Sequence, residues 1–294
     1  MKKGWSIFFG VVIAGITGLT AVSPWMGWWL PKNLCVFGKE TDDLFYLILW
    51  IVTFFFLLTE GILVYALFRY AGEPGRRAAY FHGAFSLELI WTLVPAVILL
   101  FIAFTQVQAW NRIKVASRMP PPDQIMEVSA RQFEWRVRYP TDPKFLGQDA
   151  LKENASAVDS WGKEAQFDDL RVVNQIHIWE GSSVRVHLKT RDVIHSFFLP
   201  NMRIKQDALP GKTIPVWFAA EKGTANTKYN DETRKWDEPT VDCDLACAEL
   251  CGWGHYKMRG KLYIHKDRED YEKWLKQAKE EQDRHAVDSA AGQP

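Results

Sequence analysis

Three apolar stretches constrain this chain more than any other feature: Trp5 to Ser23, Leu44 to Phe68 and Leu87 to Trp110. A bilayer core of roughly 30 Å takes about 20 helical residues to cross, a length the second and third stretches meet. Backbone polar groups in hydrocarbon have no water to bond, so each span must be helical. The first stretch supports two readings. Lys2 and Lys3, a short apolar run and small residues from Ala21 to Ser23 fit a cleavable secretory signal, and they fit a retained first helix equally. Both readings give one orientation. Lys2 and Lys3 precede the first stretch and Arg69, Arg76 and Arg77 lie between the other two, which marks those ends as cytoplasmic and puts everything beyond Trp110 outside. The expected membrane part is residues 1–23, as signal peptide or first transmembrane helix, and a helical hairpin over 40–112 with spans near 44–68 and 87–110.

The loop Tyr70 to Ser86 carries Gly72, Pro74 and Gly75, which suits a tight antiparallel turn. Pro95 is expected to kink the third span. Glu60 and Glu88 lie within or at the edge of the spans, where a carboxylate is costly unless it faces protein or water. The net charge of +1 averages an apolar half and a charged half, so it says little about partners. Basic residues are scattered among acids without interleaved aromatics, which argues against nucleic acid.

After the proline-rich Met119 to Pro122 the pattern changes period. Ile125 to Tyr139, Gln175 to Trp179, Ser183 to Leu188, Thr213 to Phe218 and Lys261 to His265 alternate apolar and polar residues, which predicts a β-sandwich or barrel over 123–266. Thr141 to Asp169 and Glu221 to Asp242 read as polar surface insertions. Residues 267–294 read as a charged helix carrying Tyr271, Trp274 and Leu275, followed by a disordered end.

The chemistry concentrates in Cys243 to Met258, C-D-L-A-C-A-E-L-C-G-W-G-H-Y-K-M, with His195 upstream in D-V-I-H-S-F. Thiolate, thioether and imidazole together suit copper better than hard cations. A pair of coppers bridged by Cys247 and Cys251 needs one imidazole and one weak axial donor per ion. His195 and His255 supply the imidazoles, and Met258 and the Glu249 carbonyl the axial donors. A mononuclear blue site needs only one thiolate. Three alternatives stay open on spacing alone. A shared helix face is disfavoured by Gly252 and Gly254; a disulfide would leave an odd outer cysteine; a zinc site rarely takes methionine. Cys243 has no place in the ligand set, as a spectator thiol or in a redox or metal-delivery role, and Cys35 lies in a short loop outside the membrane. His82, His177, His187, His265 and His285 have no partners at ligand spacing.

The ligand run C-A-E-L-C-G-W-G-H-Y-K-M, the segment D-V-I-H-S-F-F-L-P-N-M-R-I-K-Q-D-A-L-P-G-K and the helix L-E-L-I-W-T-L-V-P-A-V-I-L resemble the cytochrome c oxidase subunit II family. That resemblance implies a membrane-anchored all-β protein: a two-helix hairpin plus an N-terminal apolar segment, then a cupredoxin-like Greek-key sandwich. It implies that His195, Cys247, Glu249, Cys251, His255 and Met258 bind two copper ions, the CuA centre, and that the Glu249 side chain reaches toward magnesium or a similar ion at the subunit I boundary. It places Glu88 near the entrance of a proton pathway. It also implies an inner-membrane protein whose outer domain takes electrons from cytochrome c and passes them to haem in subunit I, where oxygen is reduced and protons are translocated. One departure concerns electron entry. The family often has Q-W-x-W where this chain has Gln132, Phe133, Glu134 and Trp135, so Phe133, Trp135, Trp253 or another exposed aromatic would serve. No C-x-x-C-H run is present, so the donor is expected to be a separate protein.

Overall fold

The computed structural model describes residues 2–70, 75, 77, 80–153, 169–230, 232–233 and 235–291. Gly72 and Pro74 of the inter-span loop, most of the first polar insertion and the last three residues fall outside that set. The chain divides into a membrane unit, residues 1–30 and 40–110, and an outer unit, residues 31–39 and 111–294.

The membrane unit is built on α1 (Lys2–Val22), α2 (Gly38–Arg69) and α3 (Phe85–Lys114). All three are long and apolar enough to cross a membrane. The second and third overrun the apolar stretches by several residues because hydropathy reads only the hydrocarbon core. The added turns are polar and suit the helix dipole: Glu40 opens α2 and Arg69 closes it, while Glu88 lies in the first turn of α3 and Arg112 and Lys114 in its last. Pro95 sits inside α3, whose helical span continues past it.

The outer unit is β-rich. Its long strands are β1 (Gln124–Arg131), β2 (Glu134–Tyr139), β3 (Leu170–Val173), β4 (Gln175–Trp179), β5 (Ser183–Thr190), β6 (His195–Leu199), β7 (Ile204–Ala208) and β8 (Ile214–Ala219). A two-stranded ribbon, β9 (Tyr229–Asn230) and β10 (Lys235–Trp236), fills the second polar insertion. Then follow β11 (Asp244–Cys247) and β12 (Arg259–His265). One five-stranded sheet runs β3-β2-β1-β5-β8 and the other β4-β12-β11-β6-β7. Each sheet contains one parallel pair, β1 with β5 and β4 with β12, so the chain crosses between layers.

The stretch Ile125 to Tyr139, one alternating run in sequence, is two antiparallel strands folded at Gln132 and Phe133. Alternation persists across the fold-back, so period alone could not locate it. Met126, Val128 and Ala130 from β1, Trp135 and Val137 from β2, Phe197 from β6, and Leu262 and Ile264 from β12 are buried in one core between the sheets. The intervening Glu127, Ser129 and Arg131 face away from that core.

Two other segments join it. Residues 34–36 pair with the end of β8: Cys35 bridges Ala220, Val36 N–H donates to the Ala219 carbonyl at 3.1 Å and Glu221 N–H to that of Leu34 at 2.9 Å. Helix α4 (Gln148–Glu153) lies in the first insertion, and α5 (Arg268–Ala291) contributes Tyr271, Trp274 and Leu275 to the core. The side chain of Gln282 on α5 covers the edge of β3, accepting from Arg171 N–H at 2.8 Å and donating to the Asp169 carbonyl at 3.3 Å. A covered edge cannot pair with another chain.

Under α5 lies a feature that sequence spacing did not suggest. Strands β4 and β12 pair so that His177 Nδ1 lies 3.1 Å from His265 Nε2. The His177 ring is stacked between Tyr263 and Trp274, with centroids 4.4 and 3.7 Å away. Burial disfavours the charged imidazole, holding His177 well below its ordinary pKa of 6.5 and His265 down at about 3. The folded chain therefore binds fewer protons than the unfolded chain below pH 6.5, so this contribution to stability is present above that value and is lost as the pH falls toward 3. The melting temperature of the outer domain, followed by circular dichroism, should drop between pH 7 and pH 5, and His265→Gln should flatten that dependence. Equal melting temperatures for the wild-type chain at both pH values would contradict it.

Candidate metal centre

Strand pairing gathers the residues of the chemical run at one end of the sandwich. Cys247 ends β11 and faces Phe197 in β6, whose first residue is His195. The chain then loops outward and returns at Met258, whose carbonyl accepts from Cys247 N–H at 3.1 Å just before β12 begins. Adjacent strands thus close a loop carrying Cys251 and His255, while His195 arrives on a neighbouring strand about fifty residues earlier in sequence. The loop is not a helix. Only His255–Lys257 make a single short turn, and Gly252 adopts φ of 133°, a backbone that other residues rarely take.

The donor atoms converge. Cys247 Sγ and Cys251 Sγ are 3.9 Å apart. Cys247 Sγ lies 3.8 Å from His195 Nδ1 and 3.2 Å from the Glu249 carbonyl oxygen. Cys251 Sγ lies 3.6 Å from His255 Nδ1 and 3.9 Å from Met258 Sδ. All four cysteines are free thiols. A disulfide holds its sulfurs about 2.05 Å apart, whereas an ion bonding each sulfur at about 2.3 Å can bridge any pair closer than about 4.6 Å. The donor set therefore fits metal: each sulfur has its own imidazole and its own weaker donor. His195 and Met258 are fully buried and Cys251 nearly so, which keeps water from competing.

Electrostatics point the same way. Burial alone would raise the Cys247 thiol, but hydrogen bonds from His195 and from backbone groups reverse this and lower it. Burial and the charge on Cys247 raise Cys251. Burial works against the charged form of His195, yet its bonds to Cys247 and Asp192 outweigh burial and raise it. Two adjacent thiolates repel, and a bound cation is what would let both deprotonate.

Asp192 fixes the His195 ring, accepting at Oδ1 from Nε2 at 2.8 Å, which turns Nδ1 toward the sulfurs. Its other oxygen accepts from Gln132 N–H at 2.8 Å, and the Gln132 amide donates to the Cys251 carbonyl at 2.6 Å. The β1–β2 turn is thereby tied to both halves of the site. Phe133, half-buried in that turn, seats against the loop where two glycines leave room. A Cβ on Gly254 would fall 2.4 Å from the Phe133 ring, and one on Gly252 3.2 Å from it. Trp253 caps Phe133 edge-on at 5.2 Å between centroids and is four-fifths exposed. Trp135 lies on the opposite side, fully buried behind His195, so it offers no surface to a docking protein.

Several expected residues stand apart. Cys243 is buried in the core, its thiol pushed up to about 11 chiefly by burial, and Cys35 likewise. The Glu249 side chain is exposed while its carbonyl turns inward. Glu88 belongs to the membrane unit, in the first turn of α3. Asp192 and Gln132 as supports of the site were not picked out from sequence in that role. The family resemblance gives Asp192, beside His195, only as an acidic position of the docking surface.

The sequence profile for "Cytochrome C oxidase subunit II, transmembrane domain" matches residues 24–108, and that for "Cytochrome C oxidase subunit II, periplasmic domain" matches 125–230. The second match includes His195 and stops short of the loop from Cys247 to Met258. An alternative cytochrome c oxidase subunit 2 from Bradyrhizobium diazoefficiens is 28% identical over 261 residues, covering 87% of this chain and 85% of the relative. A cytochrome c oxidase subunit 2 from Thermostichus vulcanus is 26% identical, covering 93% and 84%. The crystal structure of the periplasmic domain of cytochrome oxidase subunit II from Bradyrhizobium japonicum is 21% identical, covers 55% of this chain and 97% of that one, and superposes with a TM-score of 0.38.

Proposed function

The chain belongs to the cytochrome c oxidase subunit II family, a membrane protein with a periplasmic domain in an oxidoreductase complex, and from that premise we propose that its outer domain is the electron-entry module of the complex. The two sheets are read as a cupredoxin-like Greek key, residues 123–266, anchored in the inner membrane by the helical hairpin. His195, Cys247, Cys251, His255, Met258 and the Glu249 carbonyl would hold two coppers. Two coppers bound there would supply a one-electron store. The observation that carries this reading is the pairing of every donor with one of two sulfurs 3.9 Å apart.

The chain's own residues do the positioning. Asp192 holds the His195 ring in the tautomer that leaves Nδ1 available. The hydrogen bonds of Gln132 lock the loop, and burial of His195, Cys251 and Met258 excludes water. Trp253 and Phe133 form an aromatic column from solvent to the loop, and we assign electron entry from cytochrome c to that pair. The exposed Glu249 carboxylate is free to meet magnesium at the subunit I boundary, while Glu88 supplies the proton-pathway carboxylate. In this reading the electron acceptor would be haem in subunit I.

The test is metal analysis and spectroscopy of the purified complex. The expected result is two coppers on this chain, a purple colour and a mixed-valence electron paramagnetic resonance signal. A colourless outer domain holding one zinc would overturn the assignment.

A further inference from the structure

The outer face of the β3-β2-β1-β5 layer carries a groove of about 240 Å³ that no part of the copper centre uses. Strand alternation makes it: with Val128 and Ala130 turned into the core, Glu127 and Ser129 of β1 point the other way. Cross-strand pairing sets Ser129 between Arg136 of β2 and Lys189 of β5. Arg138, Arg171 and Arg191 complete the charged lining, so five cationic side chains surround one carboxylate, that of Glu127. Glu127 is already engaged, accepting from Arg138 and Lys189, each at 2.8 Å. Arg138 is balanced by Asp169, and Arg136 by Glu134 at 2.6 Å. Arg191 makes no ion pair among the described residues.

Gathering like charges over a sheet face costs stability unless an anion offsets it. A second observation lies in the lining itself. Ser129 is 97% buried, given its 3% relative exposure, and its hydroxyl has no hydrogen-bond partner in the structure. A buried hydroxyl left unpaired costs free energy comparable to a lost hydrogen bond. The charged side chains that line the groove beside it are guanidinium and ammonium donors, apart from the engaged Glu127. Among the described residues the Ser129 hydroxyl has no acceptor and the Arg191 guanidinium no carboxylate.

We propose that this groove binds a phosphoryl anion, with the Ser129 hydroxyl donating to one oxygen and Arg136, Lys189 and Arg191 neutralising the others. Guanidinium groups present paired N–H donors that match phosphate oxygens, and the volume admits a phosphate or diphosphate group. The chemistry is shared by free phosphates and by lipid headgroups, and the experiment separates them.

Inorganic pyrophosphate titrated by calorimetry into the detergent-purified complex should bind saturably at one site per chain. Ser129→Ala should weaken that binding about tenfold, because a hydrogen bond to a charged partner is lost. Lys189→Gln combined with Arg191→Gln should abolish it. The serine variant is the discriminating one, since diffuse attraction to a basic surface would not register the loss of a neutral hydroxyl. Repeating the titration in nanodiscs of phosphatidylglycerol divides the sources: binding that persists assigns the groove to a soluble phosphate, and binding displaced by the lipid assigns it to a headgroup. Absence of saturable binding to the complex, as when a neighbouring subunit covers the face, or unchanged affinity in Ser129→Ala, would overturn the proposal. Copper content is independent of this outcome, so its failure leaves the electron-entry reading untouched.

Discussion

On the proposed electron-entry reading, replacing Cys251 by serine should strip the outer domain of a copper pair and cut electron transfer from cytochrome c by more than about 100-fold, while Cys243→Ser leaves metal content unchanged. The contrast follows from position. Cys251 Sγ stands within 3.9 Å of Cys247 Sγ, His255 Nδ1 and Met258 Sδ, so it is the donor that joins the two halves of the site. Serine keeps the volume but offers a hard, protonated oxygen where a soft thiolate is needed. Loss of an outer-shell partner alone typically costs 10- to 100-fold, and loss of a bridging ligand exceeds that range. Cys243 is as deeply buried but lies in the core, outside the cluster of His195, Cys247 and Cys251. Copper and haem analysis of both purified variants, with stopped-flow reduction by cytochrome c, checks the claim. Two coppers retained in Cys251→Ser would refute the bridging role, as would their loss in Cys243→Ser.

Arg138→Met should lower the melting temperature of the outer domain by about 10 °C or more. The guanidinium is nearly inaccessible, at 6% side-chain exposure. It joins Glu127 at 2.8 Å and Asp169 at 2.5 Å, themselves only 8% and 3% exposed. Methionine fills similar space but takes away the cation both carboxylates face. Breaking a buried pair from one side costs about 3–5 kcal/mol, because the remaining charge stays desolvated. A domain of this size loses roughly 2–4 °C per kcal/mol. Adding Glu127→Gln and Asp169→Asn to the same chain should recover part of the loss. A melting temperature for Arg138→Met within a degree of the parent would show that the ion pairs are not what holds these strands.

What the sequence makes legible is whatever is encoded locally. Hydropathy over twenty residues marks α2 and α3, period-two alternation marks β4, β5, β8 and β12, and the ligand run is contiguous from Cys247 to Met258. What it hides depends on register between distant strands. The alternation from Ile125 to Tyr139 is the same for one strand or two, so the turn at Phe133, and with it the packing against Gly252 and Gly254, becomes visible only when the chain folds back. His177 and His265 are 88 residues apart and meet because β4 and β12 run in parallel. Gln132 and Asp192 are separated by 60 residues yet link the two ends of the candidate site. Trp135 follows the family pattern by position, but its face of β2 points inward, toward His195 and Phe197.

The short segment ahead of α2 belongs to the outer unit. Leu34, Cys35 and Phe37 are buried among outer-unit residues, and the Phe37 ring meets Trp217 at 5.1 Å. The fold outside the membrane is thus assembled from two separate pieces of polypeptide, one on each side of the helical hairpin in chain order. A soluble fragment started after the proline-rich linker would carry an open slot beside β8 with an apolar floor. Restoring residues 31–37 as a tethered or added peptide is the way to close it.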